Sequence, residues 1–157
     1  MVCGTTRTWV HKSARRNRCQ ANASGAFIYT GDAQTSTYVL RNTTTGSAQT
    51  ELFLDGSSQR ITIDGGRTVT FDILVVARSD LGLSAGYRIV GVIENQGGTT
   101  AFIGGVPVPT TLGEDVGAWD VAVAADDAND ALEVKVTGAA ATTIRWVASV
   151  RTVEVAW

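Results

Sequence analysis

The chain has 157 residues, 44% of them hydrophobic and 18% charged, with a formal net charge of −2. That length supports one domain with a core of its own, with no need of metal or disulfide staples. No apolar run reaches the ~18 residues needed to cross a bilayer as a helix, which excludes a helical membrane protein. The small net charge conceals an asymmetry. Residues 1–20 carry Arg7, Lys12, Arg15, Arg16 and Arg18 without a carboxylate, a charge of +5, while the remainder carries 8 basic and 15 acidic residues, a charge of −7. A basic arm on an acidic body docks on something negative: an acidic protein surface, a neighbouring subunit or nucleic acid. The competing reading is a solubilising chain end. Nucleic acid is disfavoured, because Trp9 is the only aromatic among the arm's cations and the body is acidic. The first 30 residues lack the charged-then-apolar layout of a secretion signal, so a soluble, cytoplasmically made chain is expected.

In chain order, residues 1–35 show no sustained periodicity and are expected to form an extended arm, with Phe27, Ile28 and Tyr29 as anchors onto the body or a neighbour. The remainder, 36–157, reads as a β-sandwich domain. Strands are expected at Thr37–Asn42, Thr50–Asp55 and Arg60–Asp64, punctuated by Asp55-Gly56 and Asp64-Gly65-Gly66. Arg67–Glu94 is the centre of the pattern. Val69, Phe71, Ile73, Val75 and Ala77 alternate with Thr68, Thr70, Asp72 and Arg78, and Tyr87, Ile89, Gly91 and Ile93 repeat the alternation after SDLGLSAG. This is the period of a hairpin in an antiparallel sheet. Leu74 and Val76 interrupt its polar face, so the middle of the first strand is expected to be covered on both sides. A short strand follows near Thr100–Ile103. Pro107 and Pro109 make GGVPVPT an edge or a loop. Ala118–Ala124, Leu132–Val136 and Thr143–Val155 complete the set, with a slip in the last near Arg151–Val153 that suggests a bulge. Eight or nine strands and no helix predict an all-β, antiparallel two-sheet sandwich, jelly-roll-like in arrangement.

Chemistry-bearing motifs are few. Gly82-Leu83-Ser84-Ala85-Gly86 matches G-x-S-x-G, but the nucleophile elbow needs a strand-to-helix turn and a later histidine. The only histidine, His11, lies upstream, so a hairpin turn is the better reading. Asp126, Asp127, Asn129 and Asp130 gather oxygen ligands without the EF-hand spacing or its distal glutamate, which favours a solvated turn over a calcium site. Glu114, Asp115 and Asp120 could act as paired carboxylates only if the fold opposes them to others. Cys3, His11 and Cys19 fit no common zinc spacing; the cysteines are either bridged or free. Asn22-Ala23-Ser24 and Asn42-Thr43-Thr44 are sequons by pattern, meaningful only on a secretory route. Trp119 and Trp146 are core residues by position. Trp157 either caps the core or stacks at a subunit contact or on a sugar. No cofactor, metal or catalytic residue is expected.

From Gly31 to Val155 the chain resembles a module at the C-terminal end of fibre-like structural proteins of tailed bacteriophages, especially marine ones. The likeness is carried by GDAQTSTYVLRNTTT, TELFLDGSSQRITI, TFDILVVAR, SAGYRIVGVIE, GGTTAFIGG, GAWDVAVAAD and TIRWVASVRTVEV, in that order. NASGAFIYTGDAQTS is similar to one remnant of the ASG-type head repeat that often precedes the module. The resemblance implies a non-enzymatic, usually homotrimeric β-domain on the virion surface, made in the host cytoplasm. A short basic arm in place of a fibre shaft points to a head-decoration (cement) protein, its arm clamped onto the major capsid protein or another virion protein, or exchanged between protomers. The alternative is a receptor-binding fibre tip that recognises a host-surface glycan or protein. A serine hydrolase acting through Ser84 is the remote third.

Overall fold

The structure, a computed structural model, describes residues 19–157. Eleven strands and no helix run through them: β1 Cys19–Asn22, β2 Ala33–Thr44, β3 Gln49–Leu52, β4 Ile61–Thr62, β5 Arg67–Ser79, β6 Ser84–Gln96, β7 Thr99–Phe102, β8 Thr110–Glu114, β9 Asp120–Asp126, β10 Ala131–Thr137 and β11 Ile144–Ala156. They form two antiparallel sheets. The large one has the order β1-β2-β11-β5-β6-β7, with β8 on the other half of β6; the small one has the order β3-β10-β4, with β9 also on β10. The expected all-β sandwich is therefore the fold. The chain changes sheets between β2 and β3, β4 and β5, β8 and β9, and β10 and β11.

Alternation decides the layers. Ile73, Val75 and Ala77 of β5, Tyr87 and Ile89 of β6 and Trp146, Ala148 and Val150 of β11 point inward and are buried. They meet Leu52, Val121, Val123, Leu132, Val134 and Val136 of the small sheet in one core. Trp119 and Trp146 pack across it, ring centroids 5.9 Å apart. Trp146 Nε1 donates to Thr44 Oγ1 at 2.9 Å, as buried tryptophans usually do, whereas the buried Trp119 Nε1 has no hydrogen-bond partner among the described residues. Tight turns join neighbours. Gly97 and Gly98, both at positive φ (63° and 84°), supply the two-residue turn between β6 and β7 that matches the sheet's twist.

Three expectations change. Within the expected arm 1–35, β1 already pairs with β2, Cys19 opposite Tyr38 and Asn22 opposite Thr35. No bulge interrupts β11: its register runs unbroken from Ile144–Thr44 to Val155–Ala33. What slips is polarity, since Thr152 and Glu154 face the core while Val153 and Val155 face outward. Finally, Arg60–Asp64 contributes only the two paired residues of β4, although Ile61 and Ile63 are both buried.

The inward polar residues form a network at one end of the large sheet. Glu154 Oε1 accepts from Gln34 Nε2 at 2.9 Å and Ser36 Oγ at 3.0 Å, and Glu154 Oε2 accepts from Arg67 Nη1 at 2.8 Å. Both ionic side chains are nearly closed to water, 12% and 8% exposed. Removing one partner of such a pair strands the other, at ~3–5 kcal/mol, whereas replacing both by apolar groups is far milder. Glu154→Ala should accordingly lose about 3–5 kcal/mol in urea unfolding, and Glu154→Leu with Arg67→Met much less. Asp72→Ala, which breaks the exposed Arg88 pair, should lose under ~1 kcal/mol.

Candidate interaction surfaces

The arm cations Arg7, Lys12, Arg15, Arg16 and Arg18, with Trp9, His11 and Cys3, lie outside the described residues. Three other expected contact residues, Phe27, Tyr29 and Trp157, are brought to one end of the large sheet. The loop between β1 and β2 is organised by Asp32, whose carboxylate accepts from the backbone N–H groups of Phe27 (2.9 Å), Ile28 (2.6 Å) and Tyr29 (2.8 Å). Those N–H groups, Ile28 foremost, hold the Asp32 carboxyl below its ordinary range against the opposing effect of burial. With the backbone turned inward, the side chains of Phe27, Ile28 and Tyr29 stand 77%, 78% and 75% exposed. The chain returns to the same place in β11. Ala156 N donates to Asp32 O at 2.8 Å and Trp157 N to Gly66 O at 3.1 Å. Trp157 is fully exposed, so it does not cap the core.

The second surface is the outer face of the large sheet. Leu74 and Val76, expected to be covered on both sides, are 51% and 58% exposed. The register sets Val147 opposite Val76, Ser149 opposite Leu74 and Val39 opposite Ser149, an aliphatic patch that no other element of the described residues covers. Arginines surround it. Arg145 lies directly opposite Arg78, an unfavourable like-charge pair, and Arg41 and Arg151 share the face. Arg88 alone among these five is ion-paired within the described residues, with Asp72 at 2.8 Å; that contact lowers the Asp72 carboxyl. Four strands ~4.8 Å apart, with a 13-residue β11 rising ~3.3 Å per residue, give this face roughly 800 Å². One partner's share of a standard protein interface is about that size. The depression at its centre, lined by Asp72, Leu74, Ser149 and Arg151, holds about 180 Å³, under the ~300–1,000 Å³ of small-molecule sites.

A third surface lies along the β7–β8 edge. A Cβ on Gly91 would fall within 2.5 Å of Pro107 Cγ and 2.7 Å of Phe71 Cζ, so glycine there lets the proline loop seat against β6 while Val106 and Val108 project outward, 70% and 83% exposed. Leu112 of β8 is 60% exposed, and the exposed carboxylates Glu114 and Asp115 follow it in the chain.

The remaining motifs resolve into structure. Ser84 opens β6 in an antiparallel hairpin, and its Oγ accepts from Arg78 Nη1 at 3.2 Å. No strand-to-helix elbow is present there. Asp126 holds Asn129 and the Ala128 N–H, Asp127 accepts the Thr100 N–H, and Asp130 accepts from Asn95 and Thr100. These carboxylates stitch the β9–β10 turn onto β6 and β7 of the opposite sheet rather than converging on an ion. Among the described residues no group of three or more acidic, histidine or cysteine side chains is placed to hold a metal. Glu114 receives the buried Tyr87 hydroxyl at 2.9 Å and Asp115 the Ser84 N–H at 2.7 Å, so the two do not oppose each other. Burial, then Glu114, raises the Tyr87 pKa above its ordinary value. Asn42 of the second sequon donates to Glu51 O at 2.7 Å. Among the described residues no helix is long and apolar enough to cross a membrane.

No protein-family model matches the chain, and no curated protein matches it.

The Asp32 loop makes a direct prediction. Asp32→Ala should render the bonds after Phe27 and Tyr29 several-fold more sensitive to chymotrypsin at neutral pH, with the sandwich intact by circular dichroism. The ionised carboxylate is the form the N–H groups bind, and its pKa is lowered. Protection in the unaltered chain should therefore hold above the ordinary aspartate range and disappear only as pH falls through the lowered value, as amide exchange at 27–29 can show.

Proposed function

We propose that the chain is a non-enzymatic structural subunit of a tailed-bacteriophage virion, a homotrimeric capsid-decoration (cement) protein on the head surface. The observation that carries this reading is the ordered set of segments from GDAQTS to TIRWVASVRTVEV, which resembles the phage module. Those segments fall largely on the sandwich strands β2, β5, β6, β7, β9 and β11. The open face, roughly 800 Å² in all with an aliphatic centre ringed by arginines, supports an assembly role, since one partner's share of a standard interface is about that size. In this reading the basic arm docks on an acidic surface of the major capsid protein or another virion protein, and the sandwich projects outward. A receptor-binding fibre tip is the second reading, favoured by the exposed Tyr29 and Trp157 rings, which offer stacking faces to a host-surface glycan.

Immuno-electron microscopy of intact virions with an antibody to the sandwich body tests this directly. Label over the head supports decoration; label confined to the tail end supports the tip; unlabelled virions refute both. On heads, removal of residues 1–18, which spares β1, should abolish binding of the purified protein and leave its unfolding midpoint unchanged. Binding of the full chain should weaken as salt rises, as expected of an exposed cationic contact.

A further inference from the structure

The charge of the body is divided between its surfaces. The outer face of β2, β11, β5 and β6 carries Arg41, Arg78, Arg88, Arg145 and Arg151 against Asp72 and Glu94, a net of +3. Since residues 21–157 sum to −7, everything else on the body sums to −10. The apolar centre of that face, Leu74, Val76 and Val147, lies open. Its occupant therefore has an apolar middle and acidic flanks.

We infer that this occupant is the β7–β8 edge of a second copy of the chain, so that copies associate head to tail, face receiving edge. The edge presents Val106, Val108 and Leu112 as its apolar middle, all 60% or more exposed. Glu114 and Asp115 follow Leu112 in the chain, both exposed; they accept from the neutral Tyr87 hydroxyl and Ser84 N–H, and neither is ion-paired among the described residues. Pro107 and Pro109 deny the edge loop a regular backbone ladder, which leaves the contact to side chains. Two other occupants fail on charge. The chain's own arm, at +5, is repelled by a +3 face. A symmetric face-to-face dimer would set one +3 face against another. The face and the edge adjoin across β6, so each copy is turned relative to the next, and a head-to-tail contact closes into a ring where that rotation completes a full turn. The inference rests on the self-associating part of the reading above and is independent of its virion part.

Sedimentation of the full-length chain at micromolar concentration tests it. A closed oligomer is expected, loosened by salt because the contact joins opposite charges. Val76→Glu on the face and Leu112→Glu on the edge should each give monomers, both positions being exposed enough to keep the fold, which circular dichroism checks. The decisive sample is a mixture of the two. Each variant retains the half of the contact that the other lacks, so the mixture should form a one-to-one heterodimer. A monomeric unaltered chain, an oligomer that survives Val76→Glu, association strengthened by salt, or a mixture that stays monomeric would each overturn the inference. Label on virions from a monomeric chain would overturn it while leaving the virion reading intact.

Discussion

The structure depends on the pairing of β11 with β2 on one side and β5 on the other. The β2 register covers twelve residues and the β5 register thirteen, both without a shift. Because side chains alternate strictly, that register fixes which residues of three strands face the core and which face out. Trp146, Ala148 and Val150 go in, and Arg145, Val147 and Arg151 go out. A slip by one residue would bury the arginines and expose the tryptophan. The Glu154–Arg67 pair, with Gln34 and Ser36 around it, reinforces the same register at the far end, since those hydrogen bonds form only when residue 154 lies beside residue 34.

Much of this was legible in the sequence. Val69 to Ala77 and Tyr87 to Ile93 announced a hairpin by period two, and Trp119 and Trp146 announced a core by their places within apolar alternation. The bulge expected near Arg151–Val153 failed for a simple reason. Hydrophobicity is not the same as facing inward: β11 keeps its alternation and exchanges aliphatic for polar residues on the buried side. That exchange is tolerated because Arg67, more than eighty positions earlier in the chain, supplies a counter-ion. Likewise β1 was hidden within the supposed arm, because four residues of CQAN carry too little periodicity to declare a strand.

The candidate contact surfaces were legible only in pieces. Phe27, Tyr29 and Trp157 could be singled out for their size and position, but nothing local brings residue 32 beside residue 156. Leu74 and Val76 were correctly seen as breaking a polar face. The covering that break implies is not supplied by the described residues, which leave both side chains more than half exposed. The arginine cluster was invisible, because Arg41, Arg78, Arg88, Arg145 and Arg151 are scattered over more than a hundred residues and converge only through strand order. Net charge per segment, the quantity a sequence offers most readily, averages away the division between a cationic face and an anionic remainder.

The sheet changes between β2 and β11 also impose an order on folding. During synthesis β2 emerges roughly a hundred residues before the strand that will lie beside it, and β5 waits for the same strand. Until β11 arrives, the β5–β6 hairpin and β2 each present a long unpaired edge, with apolar residues on both faces at Ile73–Ala77. Loops of such length are closed slowly, and topologies dominated by distant pairings fold in milliseconds to seconds. The nascent chain thus passes through an interval in which its most β-prone segments are open to one another on neighbouring ribosomes. The strand arriving last removes that hazard by occupying the middle of the sheet.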